Sequence, residues 1–230
     1  MSKYFKYAVG EILLVMIGIL LALQVNNWNE RKNNEATLTQ FLIDFREELS
    51  LNIRDFKNEI KRIDKQIAQK NNILINTRLD TISIDTLENH ITTRYIQFAY
   101  NPSILKRFEN TQLAEHGKYD TIFGDLQEIF GHTWLTLDIS KNWHNNEVDR
   151  EDAYWRHEQN SYELKLSSDD NTFIQDSSLR KNELIKLIQT PVVRNMLKSD
   201  IYRKKAIKPQ IVYYIETAER AYKEINKLLE

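Results

Sequence analysis

The chain of 230 residues contains no cysteine, only three prolines and five glycines, and its charges nearly cancel to a net charge of -1. The lack of cysteine excludes disulfide-stabilised folds and thiolate metal sites. Scarce glycine and proline leave few turn-forming positions, which favours long helices, so the sequence predicts an all-α fold. A charge near zero is not typical of a nucleic-acid-binding surface, and we expect no nucleic-acid partner.

Sequence motifs of catalysis are also missing, since there is no Gly-rich phosphate loop, no GxSxG and no HExxH. We therefore expect no catalytic residue, cofactor or metal, and a protein that is not an enzyme. A weaker alternative is a helical metal-carboxylate enzyme, because His144, Glu147 and Glu151 fall on one helix face. Di-metal bundles use Glu-x-x-His on two helices, whereas this chain has the reverse order once, so a solvated helix face is favoured.

One long apolar run is present, over residues 8–25, and Glu11 is its single charged residue. Crossing ~30 Å of hydrocarbon takes roughly 20 helical residues. The sequence therefore predicts a short basic tail over residues 1–7, a transmembrane helix over residues 8–28 and a soluble all-helical domain over residues 29–230. A cleaved signal peptide is the competing interpretation, but no small-x-small cleavage site follows the run.

Two sets of residues give this span its predicted contacts. Amphipathic rings and amines near its ends are membrane-interface anchors: Lys3, Tyr4, Lys6, Tyr7 and Trp28. Four small or polar residues are spaced four, three and four positions apart, which places them on one face of the helix. This face is a predicted interface with another transmembrane helix: Glu11, Val15, Gly18 and Ala22. Glu11 is then part of a homo-oligomeric seam or a pore lining, or it lies in the headgroup region at the positive end of the helix dipole.

Orientation follows from the flanking charges, where Lys3 and Lys6 before the span are matched by Arg31 and Lys32 after it. The short N-terminal tail tips the balance towards an inside N-terminus. We expect a lipid bilayer as the partner of the span, with the soluble domain outside the cytoplasm.

A helical apolar stripe follows the span and predicts a long helix over residues 35–76, continuous with the span as one rod. Its packing positions are Leu38, Leu42, Phe45, Leu49, Phe56, Ile60, Ile63 and Ile67. The stripe is also long enough for a coiled coil. The remaining helices are predicted within residues 85–230, and the last of them has apolar spacing suited to packing along the rod.

Local signals predict finer features of this elongated helical bundle. Residues 77–86 read as a turn, in which Asp85 is the helix cap and Glu88 completes a capping box. A short helix then runs to about Tyr100, and another is predicted over residues 103–117. Pro209 either kinks the last helical region or opens a final helix.

The segment KYFKYAVGEILLVMIGILLALQVNNWNE, residues 3–30, resembles the start of an uncharacterised family of bacterial single-pass membrane proteins. The resemblance rests on Tyr7, Gly10, Glu11, Gly18, Ala22, Leu23, Gln24, Asn26, Asn27, Trp28, Asn29 and Glu30. It implies a bacterial inner membrane as the location. It also implies an inside N-terminus and therefore a soluble domain on the periplasmic side, although this chain lacks the basic extension that often precedes the span in the family. It supplies no catalytic residue.

These observations favour a membrane-anchored interaction, scaffold or sensory protein. Its expected partner is a second copy of itself or another envelope protein. The alternative is an oligomeric membrane effector or pore that uses Glu11.

Overall fold

The computed structural model describes residues 2–98, 104, 106–107, 120–165 and 172–230, without the side chains of residues 2, 3, 6 and 120. Most of the described residues are helical and none lies in a strand, which confirms the all-α class. The helices are α1 (Ser2–Ile75), α2 (Ile84–Ile91), α3 (Asp120–Glu128), α4 (Trp134–Ala153), α5 (Ser177–Ile188) and α6 (Pro191–Leu229). Most of the helix predicted over residues 103–117 lies outside the described residues.

Helix α1 is a single rod of 74 residues, about 110 Å long at 1.5 Å per residue. Every described side chain from Tyr4 to Thr37 is exposed, and Leu38 is the first buried one. The polar segment between span and stripe, residues 26–37, does not interrupt the helix. Its side chains bond along the helix, as in Asn26 Nδ2 to Glu30 Oε1 at 3.1 Å and Thr37 Oγ1 to the Asn33 carbonyl at 2.9 Å. We call this segment the collar.

Helix α6 returns antiparallel along the buried half of α1, as its apolar spacing predicted. Two side-chain contacts between the helices show which residues lie at the same level: a salt bridge from Lys57 Nζ to Glu219 Oε1 at 2.6 Å and a hydrogen bond from Arg46 Nη1 to Asn226 Oδ1 at 3.2 Å. Helices α3 and α4 cover the remaining side of α6. The chain ends at Glu230, close to the level at which α1 enters the body.

Two apolar clusters form the core of the body. The proximal cluster lies towards the span and unites α1, α3, α4 and α6: its members include Phe41, Leu42, Phe45, Leu49, Phe56, Leu126, Leu137, Ile207, Ile211 and Ile215. The distal cluster lies at the far end of α1 and includes Ile73, Leu87, Trp155, Tyr162, Leu184, Ile188, Val193 and Leu197. At about 25 cal/mol per Å² of apolar surface, such burial is the main stabilising contribution.

The region around α2 differs from its prediction. Ser83, not Asp85, is the N-cap, and its hydroxyl accepts from the Thr86 amide at 3.3 Å. The helix ends at Ile91, and residues 92–98 are not helical. Their polar groups bond to α4 instead, where the Asn145 side-chain amide pairs with both the amide (3.0 Å) and the carbonyl (3.2 Å) of Ile96. Tertiary bonds therefore override the local preference for helix.

The long segment after Asp120 contains two π-helical turns, Ile129–Thr133 and Tyr154–Glu158, at either end of α4. Pro209 lies inside α6 and does not divide it. Pro209 lies on the solvent-exposed side of α6. Water can therefore hydrate the backbone carbonyl one turn earlier, which receives no hydrogen bond because proline has no N–H.

Candidate functional site: a buried charged layer

A layer of charged and polar side chains separates the proximal from the distal cluster. It combines α1, residues 92–98, α4 and α6, and we call it the charged layer: Lys70, Thr93, His144, Glu151, Asp200, Arg203 and Lys204. Its basic and acidic side chains are almost completely enclosed, with Glu151 the most accessible at 8%. Charged side chains are rarely buried to this degree unless they are paired.

Asp200 lies at the centre of the layer and receives two ammonium groups. Lys70 Nζ is 2.8 Å from its Oδ2, and Lys204 Nζ is 2.7 and 2.6 Å from its two oxygens. Burial would raise the pKa of the Asp200 carboxyl, but the attraction of both ammonium groups outweighs it and lowers that pKa. Burial also lowers the pKa of Lys204 to about 8, with Lys70 acting in the same direction and Asp200 against it.

Arg203 and Glu151 form the second ion pair, with Nη2 and Oε1 at 2.6 Å. Arg203 Nη1 also donates to Ser199 Oγ at 2.8 Å. The two ion pairs are joined by Thr93, whose hydroxyl accepts from Lys70 Nζ at 2.8 Å and donates to Glu151 Oε2 at 2.5 Å. A single hydrogen-bonded chain thus runs from α1 to α6 by way of the non-helical segment.

His144 is fully enclosed beside these pairs. Its Nε2 lies 3.0 Å from the Arg94 carbonyl, and its Nδ1 lies 3.4 Å from Arg203 Nε. A carbonyl only accepts and a guanidinium only donates, so the ring carries its proton on Nε2 and accepts at Nδ1. Burial, reinforced by Lys204 and Arg203, lowers the pKa of His144 to about 4. The imidazole is therefore neutral near pH 7.

The interpretation of His144 and Glu151 as part of a solvated helix face is wrong. Both are buried in the charged layer, whereas Glu147 is half-buried and pairs with Arg150 at 2.6 Å. Within the described part of the chain no group of three or more metal-ligating side chains is placed to hold an ion. Arg203 lies 3.4 Å from His144 Nδ1 and 2.6 Å from Glu151 Oε1, and a cation in contact with both side chains opposes the binding of a metal cation there.

Several members of the layer were missed, namely Lys70, Asp200, Arg203 and Lys204. Their positions in the apolar patterns of α1 and α6 could have revealed two of them as inward-facing. Lys70 follows Ile67 by three positions and so continues the apolar stripe of α1, and Lys204 lies midway between the buried Leu197 and Ile211. A charge at an inward helical position predicts a buried partner on a facing helix.

The structure leaves the predicted span residues open. Glu11, Val15, Gly18 and Ala22 lie on one exposed face of α1, and a Cβ placed on Gly18 would meet no other atom within 4 Å. Among the anchors, Tyr4, Tyr7 and Trp28 are exposed, and Lys32 Nζ lies 5.5 Å from the Trp28 ring centroid. The side chains of Lys3 and Lys6 lie outside the described residues. By length and composition α1 is able to cross a membrane.

The predicted packing stripe lies inside the body. Six of its members are buried and two are partly buried against the proximal cluster: Leu38, Leu42, Phe45, Leu49, Phe56 and Ile63 belong to the first group, Ile60 and Ile67 to the second. Helix α6 and its neighbours cover these side chains. The apolar surface of the stripe is therefore buried within one chain. A coiled coil between the α1 helices of two copies would have to use other faces of α1.

Comparison with known proteins finds a family model that matches part of the chain. No curated protein and no solved structure matches the chain. The part that begins in the span, crosses the collar and the buried half of α1 and ends in α3, residues 11–122, matches the model of a family of unknown function (DUF6090).

Proposed function

We propose that this chain is a single-pass membrane-anchored interaction protein of the bacterial inner membrane, with its helical body on the periplasmic side. Its role is binding rather than catalysis. The body is held at a fixed distance from the bilayer by the collar, and the span associates with a second copy of the chain.

The observation that carries this proposal is the continuity of α1. The same helix supplies a bare apolar segment of membrane length and the central helix of the body. Between Trp28 and the first buried residue, Leu38, it rises about 15 Å at 1.5 Å per residue. Lys70 ties its far end into the charged layer. A rotation or displacement of the body would therefore reach the span without a flexible joint.

Association through the span is supported by its open small-residue face. Gly18 and Ala22 form a small-xxx-small pair, which allows close approach of a second helix in lipid. Because the stripe is covered inside the body, the span is the stretch of α1 best suited to meet another copy. The pore alternative also needs this association and places Glu11 against the helix interface.

Membrane insertion and sidedness are tested first. We expect the full chain to stay in the membrane pellet after alkaline carbonate extraction. Protease added outside the inner membrane should digest residues 29–230 in spheroplasts without lysis. Release by carbonate would contradict the anchor, and protection until the inner membrane is opened would contradict the periplasmic side.

Association is tested with single cysteines, for which the cysteine-free chain is already suited. Val15→Cys and Ala22→Cys should form disulfide-linked dimers in native membranes on mild oxidation. Leu20→Cys, on the opposite face of the helix, is the matched control and should remain monomeric. Equal cross-linking at all three positions would contradict a specific interface. Ion flux that falls on Glu11→Gln substitution would favour the pore.

A further inference from the structure

The side of α1 that carries the small-residue face of the span is the side that the body does not cover. Phe45 of the buried stripe follows Gly18 by 27 positions, which is about seven and a half turns at 3.6 residues per turn. The two side chains therefore point in opposite directions from one continuous helix. The face of Gly18 and Ala22 lies on the back of α1, away from α6 and the core.

This face continues beyond the span along one line. Eleven residues make about three turns of helix, so positions eleven apart stay on one side. Three such steps from Gly18 end at Leu51. An eleven-residue period suits right-handed pairing of helices, which is also the hand of GxxxG-type pairs in membranes. We call the continuation the back face, and all of its side chains are exposed: Asn29, Asn33, Ala36, Gln40, Ile43, Glu47 and Leu51.

Two large apolar side chains on the back face are left in water. From Leu38 to Leu74, a stretch that is described throughout, α1 exposes large apolar side chains only at Ile43 and Leu51, with exposed fractions of 37% and 42%. Each lies four positions from Glu47, so both are on the same side of the helix. Single exposed apolar residues are ordinary, but these two are aligned with the open face of the span.

The back face has flanks of opposite charge, as the turn of about 100° per residue places them. One flank is acidic: Glu30, Asp44, Glu48 and Asp55. The other flank is basic: Lys32, Arg46, Lys57 and Lys61. Three of these eight residues form salt bridges inside the chain: Asp44, Asp55 and Lys57. Within the described residues the other five form none, so their charges are available to a partner.

These flanks suit a second copy of the same helix in parallel orientation. When two identical helices pair in parallel about a two-fold axis, the left flank of each meets the right flank of the other. The acidic flank of each copy then faces the basic flank of its partner copy. The match ends above Leu51, because Arg54 would meet its own copy and the signs on the flanks reverse at Arg62 and Asp64.

We propose that two copies of this chain pair in parallel through the back face, so that the contact between the spans continues through the collar as far as Leu51. The two bodies then stand back to back, and α6 of each copy lies on the side away from the other copy. This inference rests on the proposed association through the span and adds the body to the contact. Glu47 is the charged residue at the centre of the contact, where its two copies repel each other.

Single cysteines in the full chain test which face of the body meets the other copy. Gln40→Cys and Leu51→Cys should form disulfide-linked dimers in native membranes on mild oxidation, because a disulfide needs the two Cα atoms within about 7 Å. Ala206→Cys, on the exposed side of α6, is the matched control and should remain monomeric. Dimers of Ala22→Cys without dimers of Gln40→Cys and Leu51→Cys would overturn the back-face contact and leave the association of the spans standing. Absence of dimers at all these positions would overturn both.

Two substitutions of a carboxylate should act in opposite directions. Glu47→Gln removes the repulsion at the centre and should strengthen association about threefold, whereas Glu30→Gln removes an attraction on the flank and should weaken it about threefold. Both side chains are exposed, so the fold should be unaffected. The association constant is measured by energy transfer between donor- and acceptor-labelled Glu230→Cys chains in vesicles of increasing lipid content. Equal constants for the two variants, or the reverse order, would overturn the parallel two-fold arrangement.

Discussion

At the scale of single residues, the charged layer is asymmetric because Asp200 is one carboxylate facing two ammonium groups. Removing either lysine leaves a balanced pair, whereas removing the carboxylate leaves two positive charges near each other in the core. Breaking a buried pair by loss of one partner is costly mainly because of the charge left behind. The layer should therefore respond very differently to substitutions that look equally severe.

We predict that Asp200→Asn lowers the free energy of unfolding by about 3–5 kcal/mol. Lys204→Met keeps the Lys70–Asp200 pair and removes an ammonium group that burial disfavours, so its cost should stay within about 1 kcal/mol. Urea unfolding of the full chain in detergent, followed by circular dichroism, measures both. A loss for Lys204→Met as large as that for Asp200→Asn would contradict this account of the layer.

His144 makes stability depend on pH. Its folded pKa of about 4 lies below the ordinary 6.5, so the unfolded chain binds a proton first as the pH falls. The contribution of neutral His144 is fully present above pH 6.5 and is lost as the pH falls to about 4, which amounts to about 3 kcal/mol. We expect the free energy of unfolding to decline across this window.

His144→Asn should flatten that decline, and His157→Asn, which changes an exposed histidine, should retain it. Glu59 works in the opposite direction, since burial raises its pKa and stability is lost as that carboxyl ionises. Both variants keep Glu59, so the difference between their slopes isolates His144. Equal slopes in the two variants would contradict the buried neutral imidazole.

At the scale of elements, the collar is the part of α1 with the weakest intrinsic helix propensity, because it is rich in asparagine. The helix nevertheless continues through it. Side-chain bonds along the collar offset this weakness in part. The join between span and body is therefore the stretch of α1 most sensitive to added backbone freedom.

In doubly labelled chains diluted with unlabelled chain, so that a labelled copy meets only unlabelled ones, we predict a narrow distance distribution between spin labels at Asn29→Cys and Ala68→Cys, centred near ~59 Å for 39 residues of helix. Replacing Asn33 and Asn34 by glycine should broaden it, since each glycine costs about 0.5–1 kcal/mol of helix stability. Alanine at the same two positions is the control and should keep it narrow. A broad distribution in the parent chain would contradict the rigid rod.

The helix of the apolar N-terminal segment, the stripe and the packing of α6 along α1 could be predicted because helical periodicity is local information. The pattern that starts at Leu38 repeats within one element, so α1 could be described without knowing what covers it. The charged layer depends on partners far apart in sequence, such as Lys70 with Asp200, and a single sequence does not pair them. The early end of α2 at Ile91 has the same origin, because Asn145 supplies the bonds that replace helix there.

At the scale of the whole molecule, the body is a hairpin of two long helices with its open end towards the span. Glu230 lies near the level of Leu38, and the turn between α5 and α6 at Gln189 lies beside the far end of α1. The rise along α1 from Trp28 to Ile75 is about 70 Å. The body thus has one end near the apolar segment of α1 and a distal end several nanometres away.

We predict efficient energy transfer from a fluorophore on Glu230→Cys to acceptor-labelled lipid headgroups, and weak transfer from Gln189→Cys. Vesicles containing the reconstituted full chain provide the measurement. Both positions are exposed, so labelling should leave the fold intact. Similar transfer from the two sites would mean that the body lies flat on the bilayer instead of standing on its collar.

The return of α6 to the level at which α1 enters the body has a practical consequence for handling the protein. In the proposed membrane-anchored arrangement, an affinity handle or reporter domain attached at Glu230 would lie near the headgroups and would compete with lipid for space. A handle inserted at the turn after Gln189 would project into open water, where resins, antibodies and labels reach it.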